Sequence, residues 1–246
     1  MKFYHGTPIS GTNVQATKFL RNRHALVSFV NQNQLAEVSE VSSSFILDNG
    51  AFSAWKQGTE IDFEEYVKWA SLWSKHPCFD WALIPDVIDG TEEENDYLLK
   101  QWPKNLNGVP VWHLHESLTR LFILCWNYKT VALGSSGEFK HPRTKLWWNR
   151  IAEVMGTICN ENGVPMCKLH GLRMMDPRVF TLLPLSSADS TNVGVNVGSK
   201  KNFGIYLPPS ASVRAEVIAD RIEAYNSAKV WNPEAKYFKI ATEFEE

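Results

Sequence analysis

The sequence predicts a single (β/α)8 barrel domain that spans residues 1–246. Eight short apolar segments alternate with amphipathic helical segments, which is the element order of a parallel α/β fold. Most of the strand segments are continuous apolar runs, as expected for strands covered on both faces. An open doubly wound sheet is the alternative, but no G-x-G-x-x-G follows the first strand and there is no P-loop.

Each predicted strand is a short apolar run that ends in polar or glycine-containing turn residues. In chain order the segments are KFYH (2–5), HALVSF (24–29), SFILD (44–48), WALIPD (81–86), PVWHLH (110–115), TVALG (130–134), MCKLHG (166–171) and LLPLSSAD (182–189).

Helical periodicity between many of these strands predicts helices over 62–76, 90–102, 116–127, 142–162 and 210–228. The first begins at Asp62, a favourable N-cap, with Glu65 three residues later as in a capping box. The second opens with Thr91 and an acidic first turn that complements the helix dipole.

Composition is that of an ordinary soluble globular protein, with 44% hydrophobic and 21% charged residues. There is no membrane-length apolar run and no secretory signal core, so we expect a cytoplasmic protein with no membrane partner. The four cysteines form no C-x-x-C pair, which excludes a zinc ribbon or redox motif of that spacing.

The net charge of −2 does not by itself indicate a nucleic-acid binder, but a local basic patch would suffice for one. Three basic clusters are present: Lys18 with Arg21 and Arg23, the segment FKHPRTK (139–145), and Lys200-Lys201. The simplest interpretation of any one cluster is solvated surface.

Polar residues collect where the predicted strands end, which is where barrel enzymes carry their active sites. They are Asp48, Asp86 with Asp89, His113, His115, the loop Gly134-Ser135-Ser136-Gly137-Glu138, His170-Gly171 and Asp189. Each has a simpler explanation taken alone, since Asp before Asn-Gly is a common turn signal and a strand histidine is often a hydrogen-bonded core group. Together, carboxylates at one rim would split their pKa values and could act as acid and nucleophile. Small residues at 134–137 permit close approach of a flat ligand or a phosphate.

The order of these motifs resembles the guanine transglycosylases, which exchange guanine for a 7-deazaguanine base in tRNA or DNA. The segment LDNGAF (47–52) is similar to the family's Asp-Ser-Gly-Gly-aromatic motif, and ALGSSGE (132–138) to its Gly-Gly-Leu-x-x-Gly-Glu loop. KLHGL (168–172) is similar to its Leu-Met-Gly segment, and SSADST (186–191) lies where the family has its nucleophilic aspartate.

The resemblance implies a role for each matched residue. Asp189 would attack C1′ of the target nucleotide, and Asp48 would be the general acid and base. Phe52 and His170 would sandwich the purine, and Asp86 would bind its Watson–Crick edge. His113, or equally His115, stands near the position of the family's base-reading glutamine. Gly134 would offer backbone groups to the base. Ser135 and Gly171 would lie in the same substrate-binding loops.

The chain departs from the family's pattern, and as a compact, zinc-free chain it looks more like the DNA-modifying branch found in phages and bacteria, where a phage-encoded protein would act in the host cytoplasm. No cysteine follows Cys167, so the zinc element of the tRNA enzymes is absent, and Asn49 and Ala51 replace the usual Ser and Gly. We therefore expect DNA and a 7-deazaguanine such as 7-cyano-7-deazaguanine as substrates, with no cofactor and no metal. The basic clusters would hold backbone phosphates.

Three alternatives stay open at this point. The same base exchange could act on tRNA. His113-Leu114-His115 is an H-x-H pair, as in metal-dependent amidohydrolase barrels, although that family has it on the first strand and here it is on the fifth. A non-catalytic nucleobase- or DNA-binding barrel is the third, but a binder has no need for both Asp48 and Asp189. The oligomeric state is not indicated.

Overall fold

A computed structural model describes residues 1–7, 17–199 and 203–235 of the chain. Within these residues nine strands, all paired in parallel, form one sheet in the order β5-β4-β3-β2-β1-β9-β8-β7-β6. The strands are β1 (Lys2–Gly6), β2 (His24–Ser28), β3 (Ser44–Asp48), β4 (Phe79–Leu83), β5 (Gly108–Val109), β6 (Val111–His113), β7 (Thr130–Gly134), β8 (Lys168–Gly171) and β9 (Ser187–Ser190).

The two end strands of this sheet, β5 and β6, are consecutive in the chain and are separated only by Pro110. Strand β5 pairs with β4 and β6 pairs with β7, so the two segments together act as one strand of the barrel. Proline has no N–H to donate, but its carbonyl still accepts from Ala132 N–H at 2.9 Å. The sheet thereby curls into an α/β barrel, which confirms the predicted fold class.

Helices cover the outside of the barrel between the strands. They are α1 (Leu35–Val41), α2 (Ala51–Gln57), α3 (Phe63–Trp73), α4 (Glu92–Gln101), α5 (Leu118–Asn127), α6 (Lys145–Ile158), α7 (Pro177–Phe180), α8 (Asn192–Asn196) and α9 (Ala211–Glu223), with 3₁₀ turns at Thr17–Leu20, Phe29–Gln34 and Gly137–Phe139. The five predicted helices are confirmed with slightly shorter bounds. No helix in the described residues has the length and apolar character needed to cross a membrane.

Both predicted N-cap residues, Asp62 and Thr91, cap their helices, but the reciprocal capping box is observed at Thr91 and not at Asp62, where it was predicted. The Asp62 side chain accepts from Glu65 N–H at 2.9 Å at the start of α3. At the start of α4, Thr91 and Glu94 form a reciprocal capping box. Each cap satisfies backbone donors that a helix leaves unpaired in its first turn, so local sequence fixes where these helices begin.

Two predicted strands differ most from the observed ones in extent, while the others agree to within two residues at each end. The fourth ends at Leu83, three residues before the predicted end. The last is confined to Ser187–Ser190, because the apolar residues before it follow the short helix α7 and pack into the core outside the sheet. Leu183 and Leu185 are buried there, which explains why they look like strand residues in the sequence.

Side chains along each strand alternate between two separate cores, which is why the strands look continuously apolar. On β3, Phe45 and Leu47 belong to the main core shared with the helices. Ile46 points the other way and packs with Tyr4 and Leu26 inside the barrel. Asp48, the next inward residue, therefore faces the barrel mouth at the carboxyl end of the sheet.

Candidate active site at the carboxyl ends of the strands

A cavity of about 290 Å³ lies at the carboxyl ends of the strands. Seven of the residues predicted for the site line it: Asp48, Phe52, Asp86, His113, Gly134, Ser135 and Asp189. Three carboxylates, one imidazole and one aromatic ring thus share a single enclosed space. The seven residues lie at the ends of five different barrel strands or in the loops that follow them, which is how a barrel builds a site from distant parts of the chain.

The turn after β3 is made by Asn49 and Gly50. The Asn49 Oδ1 accepts from Ala51 N–H at 2.8 Å, while its Nδ2 donates to Ile84 O at 2.9 Å. Gly50 has a φ of +82°, and a Cβ there would lie 2.7 Å from Val30 Cγ2. Because these two residues close the turn, the Asp48 carboxyl is free to face the cavity.

Burial raises the pKa of Asp48 to about 7, and the negative charges of Asp189 and Asp86 add to the effect. The nearby Ser28 hydroxyl and Gly50 backbone N–H lower this pKa, but they do not cancel the effect of burial. The side chain therefore exchanges its proton near pH 7, where the protonated and ionised forms are both populated. A carboxylic acid with such a pKa suits general acid–base chemistry near pH 7.

The Asp189 carboxylate is oriented by two donors on β8 and the loop that follows it. His170 Nε2 lies 3.0 Å from one oxygen, and Arg173 N–H donates to the other at 3.2 Å. The His170 ring is itself fixed by Ser187 Oγ, 2.8 Å from its Nδ1. Asp189 is 6% exposed, so its remaining open surface faces the cavity that it lines.

Asp86 and His113 form a hydrogen-bonded pair in the wall of the cavity. His113 Nε2 lies 2.7 Å from Asp86 Oδ2, and Asn49 Nδ2 donates to Oδ1 at 2.8 Å. Burial disfavours the charged imidazole, but the adjacent Asp86 carboxylate outweighs it and raises the pKa of His113. Asn49 thus ties the β3 turn to this pair, and the pair presents a fixed set of polar groups to a ligand.

A second layer of polar contacts holds the two loops that carry Asp86 and His113. Asn95 on α4 accepts from Val87 N–H at 2.7 Å and donates to Glu116 Oε1 at 2.8 Å. Glu116 Oε2 in turn accepts from His113 N–H at 2.9 Å and from Arg120 Nη1 at 2.7 Å. Glu116 is 2% exposed, so water is excluded from this network and its hydrogen bonds hold the two loops in one arrangement.

Three predicted residues lie outside the cavity. His170 is fully buried below it, with its ring edge-on to Trp81 at a centroid distance of 4.9 Å. That position offers no open face to a purine and does not support a stacking role; its contact with Asp189 indicates a positioning role. Gly171 is also buried, and a Cβ there would meet Met174 at 2.8 Å, so its small size serves packing.

His115 is the third residue outside the cavity. Its Nδ1 lies 2.7 Å from Ser136 Oγ, and its ring stacks on that of His113 at a centroid distance of 5.7 Å. Between the two histidines that were equally good matches for a base-reading position, the one that lines the cavity is His113.

The most informative residue that the sequence did not single out is Arg173. It lines the cavity, and its guanidinium carbon lies 4.1 Å from the centre of the Phe52 ring. Its φ is +58°, an uncommon backbone conformation for a residue other than glycine. A basic residue in a loop gives no sequence signal of such a position. Lys140, from the predicted cluster at 139–145, also lines the cavity.

Of the other two basic clusters, one contains an arginine that is already engaged in ion pairs, and the other lies outside the described residues. Arg23 donates to Glu223 Oε2 at 2.9 Å and pairs with Asp220, so it fastens α9 to the start of β2, at the opposite end of the strands from the cavity. Lys200-Lys201 lies outside the described residues. Only the 139–145 cluster is therefore seen to contribute to the rim of the site.

Gly134 has no room for a side chain. A Cβ at this position would lie 2.9 Å from His113 Nδ1. We expect Gly134→Ala to displace His113 from Asp86 and to lower the free energy of unfolding by about 1–3 kcal/mol, the usual cost of overpacking. Urea denaturation measures the change.

Gly156→Ala is the matched control for this prediction. Gly156 lies in α6, and a Cβ there meets nothing within 4 Å. The same substitution should stabilise the protein by roughly 0.5–1 kcal/mol, because alanine favours the helix. Equal effects at the two positions would contradict the close packing assigned to Gly134.

Comparisons with protein-family models, curated proteins and solved structures find no match to this chain. In the described part of the chain, no group of three or more His, Cys, Asp or Glu side chains is arranged to hold a metal ion. Inferences about function therefore rest on the residues that line the cavity.

Proposed function

We propose that this chain is a guanine transglycosylase that replaces guanine in DNA with a 7-deazaguanine base. The observation that carries the proposal is the pair of differently held carboxyl groups in one cavity. Asp48 has a raised pKa, and Asp189 is oriented by His170 and a backbone N–H. Two such groups are what a double displacement at a sugar carbon requires. The aromatic wall at Phe52 suits a flat substrate.

In the first displacement, an Asp189 oxygen forms a bond to C1′ as the bond from C1′ to the guanine nitrogen breaks. The bonding electrons leave with the base, and Asp48 donates its proton to the departing guanine. The result is a covalent sugar–enzyme ester, a neutral free base and an ionised Asp48.

In the second displacement, the incoming 7-deazaguanine gives a proton to Asp48 and its ring nitrogen attacks C1′. The ester bond breaks and Asp189 recovers its electron pair, so the enzyme returns to its starting state. Two inversions at C1′ give net retention of configuration. Asp86 and His113, which line the same cavity, would hold the base edge during both steps.

The target base has to leave the helix stack before either step, at a cost of a few kcal/mol in a duplex. Lys140 and Arg173 at the cavity mouth carry positive charge that suits a phosphate backbone. These cations fit DNA and tRNA equally, and the preference for DNA follows from the resemblance to the compact branch of the family.

A labelled-base exchange assay tests the proposal. The protein is incubated with labelled guanine and either duplex DNA or tRNA, and label in the polymer is counted after removal of free base. Label in DNA is the expected result. Label in tRNA alone would move the proposal to the RNA substrate, and label in neither would overturn it. Elemental analysis in parallel tests the hydrolase alternative, which requires stoichiometric zinc or iron.

The raised pKa of Asp48 predicts that this acid costs stability at neutral pH. In the unfolded chain its pKa is near 3.8, against about 7 in the fold. Folding therefore binds a proton between these values, and the stability contribution of Asp48 falls as pH rises from 4 to 7. We expect Asp48→Asn to raise the free energy of unfolding by roughly 2–4 kcal/mol at pH 8 and to change it little at pH 4.

Asp80, at the opposite end of the barrel, is the control with the opposite sign. Burial works against its charge, but hydrogen bonds from Ser44, Tyr4 and Lys2 outweigh it and lower its pKa. Asp80→Asn should therefore destabilise the protein at pH 8. Urea denaturation at pH 4 and pH 8 measures both variants, and a loss of stability in Asp48→Asn at pH 8 would contradict the raised pKa.

A further inference from the structure

Arg173 stacks on the one aromatic ring of the predicted site. Its guanidinium carbon lies 4.1 Å from the centre of the Phe52 ring, close to van der Waals contact. Phe52 is 41% exposed, and both residues line the cavity. Within the described residues, the Arg173 guanidinium has no ion-pair or hydrogen-bond partner that would fix it there.

The backbone of Arg173 is held much more firmly than its side chain. Its N–H donates to Asp189 Oδ1 at 3.2 Å, and its φ of +58° places it in the left-handed region. An arginine in this conformation costs free energy that an asparagine or glycine would largely avoid. The position therefore combines a fixed link to Asp189 with an exposed side chain that can move.

We propose that Phe52 and Arg173 are the two walls of the base slot, with the guanidinium closing on Phe52 when the slot is empty. This inference rests on the proposed function. A planar base entering between them displaces the guanidinium by roughly 3.4 Å, the spacing of stacked bases. Phe52 then stacks on one face of the base and the guanidinium plane on the other, as arginine does with unstacked bases in RNA-binding proteins.

The stacking partner expected opposite Phe52 was His170, which is buried below the cavity. Arg173 fills this role because its guanidinium already lies over the face of the Phe52 ring. Within the described residues it makes no hydrogen bond or ion pair that this movement would break. Its backbone link to Asp189 would also make the position of the wall depend on the nucleophile's position. The slot is thereby aligned with the carboxylate that attacks C1′.

Binding of free guanine tests the slot without any phosphate. Equilibrium dialysis with labelled guanine is run on the wild-type protein and on Arg173→Lys, Phe52→Leu and Arg178→Lys. Lysine keeps the charge of Arg173 but loses the plane. We expect Arg173→Lys and Phe52→Leu each to weaken guanine binding about tenfold, within the range measured for loss of one stacking partner.

Arg178→Lys is the control, because Arg178 is exposed and its guanidinium is paired with Asp176 at 2.8 Å. It should bind guanine as the wild type does. In exchange assays, Arg173→Lys should raise the KM for the incoming base more than it lowers kcat, which a merely structural defect would not do. Urea denaturation of each variant shows that the fold is retained.

The outcomes separate this inference from the proposed function. Guanine binding by Arg173→Lys that equals the wild type overturns the inference, and so does a wild type that exchanges bases but binds no free guanine. A wild type that binds guanine through Phe52 and Arg173 but exchanges no base overturns the proposed function and leaves the slot in place. Weaker DNA binding by Arg173→Lys, with guanine binding unchanged, would reassign Arg173 to phosphate.

Discussion

Asp189→Asn is expected to lower the rate of base exchange by at least about 10³-fold, because an amide cannot replace the carboxylate that attacks C1′. Asparagine has nearly the shape of aspartate, and its carbonyl oxygen can still accept from Arg173 N–H, which now donates at 3.2 Å. The fold should therefore persist. The initial rate of labelled guanine entering DNA measures the effect, and urea denaturation checks stability.

Asp89→Asn is the control for this prediction. Asp89 follows the same strand as Asp86 but does not line the cavity, and its carboxylate accepts from Trp55 Nε1 at 2.8 Å at the exposed rim. Its substitution should change the rate less than about threefold, in keeping with an exposed hydrogen bond that contributes little.

The covalent intermediate gives a second readout of the same residue. Wild-type protein mixed with DNA in the absence of an incoming base should yield a protein–DNA complex that survives denaturation. Asp189→Asn should yield none. If the variant exchanges guanine at a rate near that of the wild type, Asp189 is not the nucleophile, whatever the remaining residues do.

The barrel and two of its acids could be predicted from the sequence for a simple physical reason. Most strands are covered on both faces, so they look apolar in the sequence until the residue that reaches the barrel mouth. On β3 that residue is Asp48, which lines the cavity. Asp189 also lines the cavity, but β9 itself is Ser-Ala-Asp-Ser, and the apolar run that pointed to Asp189 packs outside the sheet.

The depth of a residue within the barrel could not be predicted from the sequence in the same way. His170 and Gly134 both occur near the ends of their strands in the sequence. Yet His170 is buried below the cavity while Gly134 lines it. Their relative height depends on how neighbouring strands are staggered around the barrel, which is set by tertiary pairing and not by local pattern.

Contacts between loops could not be predicted from the sequence either. Arg173 reaches Phe52 across 121 positions of the chain, in a backbone conformation that its residue type does not favour. Glu116 looked like an ordinary residue at the start of a predicted helix. Its burial between two loops and Arg120 becomes apparent only when the strands are placed side by side.

Glu116→Ala is expected to lower the free energy of unfolding by about 3–5 kcal/mol, the usual cost of removing one partner of a buried ion pair. The side chains of Glu116 and Arg120 are 1% and 5% exposed, and their charged atoms lie 2.7 Å apart. Removing the carboxylate leaves a buried guanidinium, the His113 N–H and the Asn95 amide each short of an acceptor. Since a domain's total stability is only about 5–15 kcal/mol, this is a large fraction of it.

Glu153→Ala is a closely matched control, because Glu153 also pairs with an arginine at 2.7 Å. The partner is Arg150, but Glu153 is 57% exposed, so water can replace the lost contact. We expect a change below about 1 kcal/mol in urea denaturation. The difference between the two variants measures what burial and the additional hydrogen bonds of Glu116 contribute, since residue type and pair distance are the same.

The Glu116 network also predicts a functional consequence that the control lacks. Glu116 accepts from the backbone of His113, and Asn95 links it to the loop after β4 that carries Asp86. Glu116→Gln, which keeps the shape and destabilises less, should therefore weaken guanine binding at a denaturant concentration where the protein is still folded. Unchanged guanine binding in this variant would show that the Asp86–His113 pair holds its position without the network.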